Sequence, residues 1–326
     1  HMSSAAWGDY DNDDDLDLLW TGWISGTGAV SKIYRNDGNG IFTDINASLE
    51  NVNQSSVAWG DYDNDGDPDI LLAGWSDSLY EVTRIYRNDG NDVFTDLQAA
   101  LTNVARGPST KWGDYDNDGD LDILLRGCIA WDDDFGFCGG SITKVYSNEG
   151  NGVFTDINAT LPTISEEPVD WGDYDNDGDL DILVTIDLLT KIYGNNASVA
   201  NTNPSAPSSL RTTLSADAIK FGWNEASDAE TISPGLSYNL RVGTTPGGMQ
   251  IVSPMANVDS YRQVPQTGNA DYGLSAALKN LPAGTYHWSV QAVDTAFAGS
   301  PFAAEQSFTI WKAYFPIMPI IQQVGQ

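Results

Sequence analysis

The sequence predicts an all-β protein in which four repeated, four-stranded units precede an antiparallel β-sandwich. The phrase W-G-D-Y-D-N-D occurs four times, at tryptophans that are 52, 53 and 59 residues apart. Short apolar, β-branched and aromatic segments flank each copy, and they lack the period of a helix. From about residue 208 the phrase is absent, while alternating segments continue between turns rich in Gly, Pro and Asn. These observations favour repeats followed by a second β domain.

Each of the first three repeats contains four strand candidates. In the second repeat they are Ser56–Gly60, Ile70–Gly74, Val82–Asn88 and Val93–Leu97. A period of about fifty residues with four antiparallel strands is typical of a β-propeller blade or a solenoid unit, and the strand number favours the blade. The repeats start near residues 5, 57, 110 and 169. The fourth stops early, near Asn196, so we expect it to lack its outer strand or to borrow one.

The acidic phrase has the spacing of a loop that binds a hard cation. Aspartates stand at positions one, three, five and nine of each loop, so alternate carboxylates point to one centre when the loop curls. A main-chain carbonyl at position seven and a water would complete the six to eight oxygen ligands of calcium. Magnesium usually takes one or two carboxylates, and no cysteine or histidine lies near to suit zinc. An EF-hand requires Glu at position twelve, where the four loops carry Trp20, Leu72, Leu125 and Val184.

The pattern D-x-D-x-D-G-x-x-D followed by an apolar strand resembles the FG-GAP (VCBS-type) repeat, the calcium-binding blade also found in integrin α heads. The resemblance covers about residues 5–196 and implies a β-propeller with about four Ca²⁺, one per repeat. The implied side-chain ligands are Asp9, Asp11, Asp13, Asp17, Asp61, Asp63, Asp65, Asp69, Asp114, Asp116, Asp118, Asp122, Asp173, Asp175, Asp177 and Asp181. The implied main-chain ligands belong to Asp15, Asp67, Asp120 and Asp179.

The first loop departs from this pattern at its sixth position. It has Asp14 where the other loops have Gly66, Gly119 and Gly178. Asp tolerates the left-handed backbone region less well than Gly and adds a negative charge. The first site therefore departs most from the pattern, and we still expect it to be occupied.

The second half of the chain resembles a fibronectin type III domain, an immunoglobulin-like β-sandwich. The resemblance rests on Trp223, on the segment 238–242, and on Leu281–Thr285 leading into Tyr286, the expected corner tyrosine. The expected strands are 219–223, 237–243, 285–294 and 304–310. The predicted division is repeats at 3–196, a linker at 197–207, the sandwich at 208–310 and an apolar, Pro-containing tail at 311–326.

Charge and cysteine content restrict the partners and the compartment. The net charge of −31, most of it before residue 204, argues against nucleic acid and anionic membranes as partners. No stretch reaches the roughly 20 apolar residues of a membrane span. Cys128 and Cys138, ten residues apart, predict a disulfide that staples a Gly-rich loop. A disulfide together with calcium loops predicts an extracellular or cell-surface protein.

Catalytic patterns are absent from the sequence. His287 is the only histidine apart from His1, which excludes most serine, cysteine and zinc mechanisms. The acidic cluster 132–134 has no assigned role, and we interpret it as a solvated loop. We therefore expect no enzyme.

The tryptophans divide into two groups. Those of the repeated phrase (Trp7, Trp59, Trp112 and Trp171) are predicted core residues between repeats. Trp23, Trp75 and Trp131 lie near the ends of second strands. They could pack between repeats or contact a ligand, and the sequence leaves both alternatives open.

The sequence thus predicts a non-catalytic, calcium-stabilised binding and scaffold protein for a protein or surface ligand. The alternatives are a lectin-like propeller that binds glycans through its rim tryptophans and a non-catalytic module of a larger secreted hydrolase. Four repeats leave closure open as well. Two chains could meet as a homodimer in an eight-bladed ring, or one chain could form a tight four-bladed monomer.

Overall fold

The computed structural model describes residues 3–132, 137–163, 168–186, 189–197, 199–214, 218–257, 259–262 and 264–311. Within these residues the chain is all-β and consists of several small antiparallel sheets with one 3-10 turn. The tail beyond Trp311 and most of the acidic cluster 132–134 lie outside them.

Each of the first three repeats forms a four-stranded antiparallel sheet. In repeats one and two the strands lie in chain order, and in repeat three a hairpin, β11–β12, is inserted between the second and third strands. The strands are β1 Ser4–Gly8, β2 Asp17–Ile24, β3 Gly28–Asn36, β4 Phe42–Asp44, β5 Asn53–Gly60, β6 Asp69–Ser76, β7 Tyr80–Asn88, β8 Phe94–Asp96, β9 Ala105–Gly113, β10 Asp122–Cys128, β11 Trp131–Asp132, β12 Phe137–Cys138, β13 Ser141–Asn148 and β14 Phe154–Asp156.

The fourth repeat forms a sheet of three strands. They are β15 Val169–Gly172, β16 Asp181–Ile186 and β17 Leu189–Tyr193. Among the described residues no strand is added outside β17, and the described part of 197–203 forms none. The sequence ends this repeat before an outer-strand segment, which accounts for the difference.

Six further strands form the C-terminal unit, residues 208–310. They are β18 Ser208–Leu214, β19 Ala218–Asn224, β20 Ser237–Gly243, β21 Ser275–Lys279, β22 Gly284–Val293 and β23 Gln306–Ile310. They make two sheets, β18-β19-β21 and β20-β22-β23. Phe221, Trp223 and Trp288 are fully buried in a core to which both sheets contribute.

Successive repeat sheets pack through a tryptophan and a glycine. The rings of Trp59, Trp112 and Trp171 lie against Gly8, Gly60 and Gly113 of the preceding repeat, where a Cβ atom would come within 2.8 Å of the ring. Glycine therefore allows the close approach of the next sheet. The prediction that all four repeated tryptophans are core residues is wrong for Trp7, which is 59% exposed because no described repeat precedes it.

Candidate metal centres

Each acidic loop is curled by two residues in the left-handed region. At position four an asparagine has a φ of 57 to 64° in every loop. At position six Gly66, Gly119 and Gly178 have φ of 92 to 94°, and Asp14 has a φ of 73°. Asn, Gly and Asp are the residue types that tolerate this region best. The phrase therefore encodes the loop shape locally.

Aspartates one and nine fasten each loop through backbone N–H groups. In loop two, Asp61 accepts from the N–H groups of Asp65 (3.0 Å) and Gly66 (2.8 Å). Asp69 accepts from Tyr62 (3.1 Å) and Asn88 (2.7 Å). The other loops repeat this pattern. A carboxylate has about four acceptor sites, so each keeps lone pairs that can face an ion.

Three carboxylates converge in every loop, with one oxygen of each within 4.8 Å of the others. The groups are Asp9, Asp11 and Asp13; Asp61, Asp63 and Asp69; Asp114, Asp116 and Asp122; and Asp173, Asp175 and Asp181. Loops two to four thus bring positions one, three and nine together, whereas loop one brings positions one, three and five together. Oxygen-only groups of this kind suit a hard cation.

The electrostatics of these groups fit a cation. Burial, reinforced by the Asp65 carboxylate, raises the pKa of Asp61 to about 8, although the Gly66 N–H opposes the rise. Burial likewise raises the pKa of Asp114 to about 7 and that of Asp122 well above its usual range. Asp116 Oδ1 is buried without a hydrogen-bond partner among the described residues. A buried, unpaired carboxylate oxygen is costly, and a bound cation would satisfy it.

Several predicted ligands lie outside the convergent groups. At position five, Asp65, Asp118 and Asp177 accept from the N–H two residues further on. At position seven, carboxylates accept from an asparagine of the preceding loop: Asp67 from Asn12, Asp120 from Asn64 and Asp179 from Asn117. Asp15 instead pairs with Lys279 at 2.6 Å. These asparagine side chains join neighbouring loops, a role that was not predicted, although the asparagine recurs at position four of every loop.

The C-terminal unit contacts the loops of all four repeats. The N–H of Asp9 donates to Asp271 (3.0 Å), and that of Asp61 donates to the Tyr272 hydroxyl (3.1 Å). In loop three the Thr295 hydroxyl donates to Asp114 (2.9 Å). In loop four the Tyr261 hydroxyl donates to the Asn176 side-chain oxygen. The position of the C-terminal unit thus depends on the shape of the loops.

Asp14 has a specific role in this contact. Its carboxylate pairs with Lys220 at 2.6 Å and accepts from the Ser275 hydroxyl at 2.7 Å. The charge that the sequence marked as a defect of loop one is therefore compensated by the C-terminal unit.

The remaining predicted sites have these positions. Cys128 and Cys138 form a disulfide with a Cα–Cα distance of 5.8 Å. Trp75 is partly buried; the Tyr80 ring centroid lies 5.4 Å from its own, and the Arg106 guanidinium lies 4.6 Å from it. Trp23 is 38% exposed, and the Trp131 side chain lies outside the described residues.

The fold and these loops define a class, that of repeat proteins built from small antiparallel sheets with acidic loops. A family model, the FG-GAP-like repeat, matches residues 9–72, 65–125 and 131–184, which is more than half of the chain. The chain belongs to the FG-GAP-like repeat family. Such repeats are typical of non-catalytic, adhesion-type, β-propeller-like modules of extracellular or surface proteins.

No curated protein matches the chain. The part of the chain that the structure describes contains no helix long and apolar enough to cross a membrane.

Proposed function

We propose that the protein is a calcium-stabilised, non-catalytic binding and scaffold module that acts outside the cell. The observation that carries the proposal is the convergence of three carboxylates in each of four loops. In loops two and three, two of the three carboxylates are fully buried. Repulsion among these carboxylates, together with their burial, opposes loop closure unless a cation offsets it. A bound calcium would supply that positive charge.

Calcium is proposed rather than magnesium because three carboxylates converge in each loop. Aspartates one, three and nine would hold the ion in loops two to four, and aspartates one, three and five would hold it in loop one. The protein's own contribution is the prior orientation of these oxygens by the backbone N–H bonds. Thiolate and imidazole ligands, which zinc prefers, do not occur in the loops.

The C-terminal unit is proposed to be a fibronectin type III-like sandwich that supports the repeats. Its two sheets share one core, and the Tyr286 hydroxyl donates to the Pro282 carbonyl at 2.8 Å. That bond is the one expected of a corner tyrosine. Because this unit contacts all four loops, we infer that it supports the repeat array. An adhesion ligand would then bind the repeats or their rim.

The rim tryptophans could pack within the protein or contact a ligand, and the contacts of Trp75 favour packing. Trp75 makes an edge-to-face contact with Tyr80, and the Arg106 guanidinium lies 4.6 Å from its ring centroid, so part of its ring surface is already used within the protein. A protein partner is therefore preferred to a glycan.

Calorimetric titration of calcium into chelator-treated, dialysed protein tests the proposal. We expect about one ion per loop, and Asp122→Asn should remove one of them because Asp122 belongs to a convergent group. Asp44→Asn is the matched control, since Asp44 lies outside the loops and pairs with Lys32. Protein that takes up no calcium, or that loses none in Asp122→Asn, would contradict the proposal.

A further inference from the structure

The three internal junctions between repeat sheets share one set of contacts. At each junction the tryptophan of the later repeat lies on the glycine of the earlier one. Gly172 is the fourth member of this glycine series, and a Cβ atom there would meet nothing within 4 Å. Trp7 is the first member of the tryptophan series, and it is 59% exposed. The two ends of the array therefore carry the two unpaired halves of one junction.

In repeats one and two, a cross-strand pair of apolar side chains faces the following repeat. Leu19 and Ile33 face repeat two, Leu71 and Ile85 face repeat three, and all four are fully buried. The corresponding cross-strand pair of repeat four is Leu183 with Ile192. These two side chains are 40% and 48% exposed, because no described sheet covers them.

An asparagine of the later repeat also forms a hydrogen bond with the earlier repeat. Asn88 Nδ2 donates to the Tyr10 carbonyl at 2.8 Å, and Asn148 Nδ2 donates to the Tyr62 carbonyl at 2.8 Å. Asn36 is the equivalent residue of repeat one, and its Nδ2 donates to the Leu16 carbonyl of its own repeat at 3.1 Å, with no bond to another repeat among the described residues.

The tyrosine rings show the same end effect. Tyr10 and Tyr62 are buried under the next repeat, whereas Tyr174 of repeat four is 57% exposed. At the first two internal junctions the tyrosine ring contacts a phenylalanine of the later repeat, Tyr10 with Phe94 at 5.7 Å and Tyr62 with Phe154 at 5.9 Å. Among the described residues, Tyr174 at the end of repeat four thus has no phenylalanine of a following repeat against its ring.

The exposed end of repeat one already has the shape that the internal junctions use. The rings of Trp7 and Phe42 are 6.1 Å apart at 57°. The buried pairs Trp59–Phe94 and Trp112–Phe154 have 6.0 Å at 49° and 6.2 Å at 48°. Little rearrangement is needed for Trp7 to enter a junction, and a preformed partner surface loses less entropy on binding.

We propose that two copies of this chain associate head to tail, with repeat one of each copy packed on repeat four of the other. Trp7 of one copy would lie on Gly172 of its partner, and the Leu183–Ile192 pair would be covered. Two equal junctions related by a two-fold axis close the assembly, which then has eight repeats. A second copy is the partner because this chain itself carries both halves of the contact.

Light scattering after gel filtration, in calcium and physiological salt, measures the mass. We expect twice the 35.2 kDa of one chain. Trp7→Ala and Gly172→Leu should each reduce the mass to that of one chain. Trp311→Ala is the matched control, because Trp311 is 82% exposed and lies outside the junction.

Folding of the variants is checked by their thermal unfolding. Leucine at position 172 has open space in the single chain, and Trp7 is mostly exposed, so both variants should fold. A wild-type mass of one chain, or a dimer that survives both substitutions, overturns the proposal. This mass readout is separate from calcium uptake, so either proposal can fail while the other stands.

Discussion

Loops three and four carry the same sequence, D-Y-D-N-D-G-D-L-D, and differ in their surroundings. In loop three Asp114 and Asp122 are fully buried and Asp116 is partly buried. In loop four Asp173 is partly exposed, Asp175 is exposed and only Asp181 is buried. The difference arises from the neighbours: repeat four and Thr295 cover loop three, whereas no described repeat follows loop four.

The comparison shows that one loop sequence can hold its carboxylates in two different environments. The energetic cost of confined carboxylates rises as water is removed, because solvent no longer screens their repulsion. Under the calcium proposal, loop three should therefore depend on a bound cation for stability, whereas loop four can leave its carboxylates hydrated. Burial by neighbouring repeats, and not the phrase itself, decides this dependence.

The largest expected effect separates Asp116→Asn from Asp175→Asn, both in the Trp7→Ala background so that loop four stays open. In calcium, Asp116→Asn should lower the free energy of unfolding by about 2 kcal/mol, a shift of roughly 4–8 °C in Tm for a domain of this size. Asp175→Asn should change it by less than about 1 kcal/mol because this carboxylate is exposed. Calorimetry of both variants measures the difference.

The same two variants measured in chelator serve as a control, because the loss of stability in Asp116→Asn should disappear or reverse there. In chelator, Asp116→Asn should be at least as stable as its parent, because it removes one of the confined carboxylate charges. Asp44→Asn should be unaffected by the choice of buffer. Equal effects of the two loop variants in calcium would mean that burial does not set the dependence.

A smaller effect is expected from Gly119→Ala and Gly178→Ala. Both glycines have a φ above 90°, so alanine has the same local strain in each, of about 1 kcal/mol. A Cβ atom at 119 would lie 2.0 Å from the Glu230 carbonyl oxygen, whereas at 178 it would meet nothing within 4 Å. Gly119→Ala should therefore lose about 1 kcal/mol more, owing to overpacking against the C-terminal unit.

Chemical denaturation of the two glycine variants measures this difference. Gly178→Ala serves as the control for backbone strain. If the two substitutions cost the same, the C-terminal unit does not rest on loop three in solution.

The sequence predicted those features that a single repeat encodes. The acidic loop, its left-handed residues and the four strands follow from local spacing and residue type. For example, the strand predicted at 237–243 is β20, Ser237–Gly243. The end of repeat four before an outer strand was also visible, since the segment itself is missing from the sequence.

Features that depend on distant contacts could not be predicted. Asp271 and Thr295 contact loops more than 180 positions earlier in the chain, and neither belongs to a motif. Asp14 looked like a defect because its partners, Lys220 and Ser275, belong to the other unit. The exposure of Trp7 depends on its place at the end of the array, which the repeated phrase does not encode.

The most direct test of structural calcium is thermal unfolding of the wild-type chain with and without the ion. Each ion held at about 100 times its Kd adds about 2.7 kcal/mol to the free energy of unfolding. We therefore expect chelation to lower Tm by at least about 10 °C, and Tm to rise with the logarithm of calcium concentration. A Tm that does not move between chelator and calcium, in protein shown to be free of metal, would contradict the account.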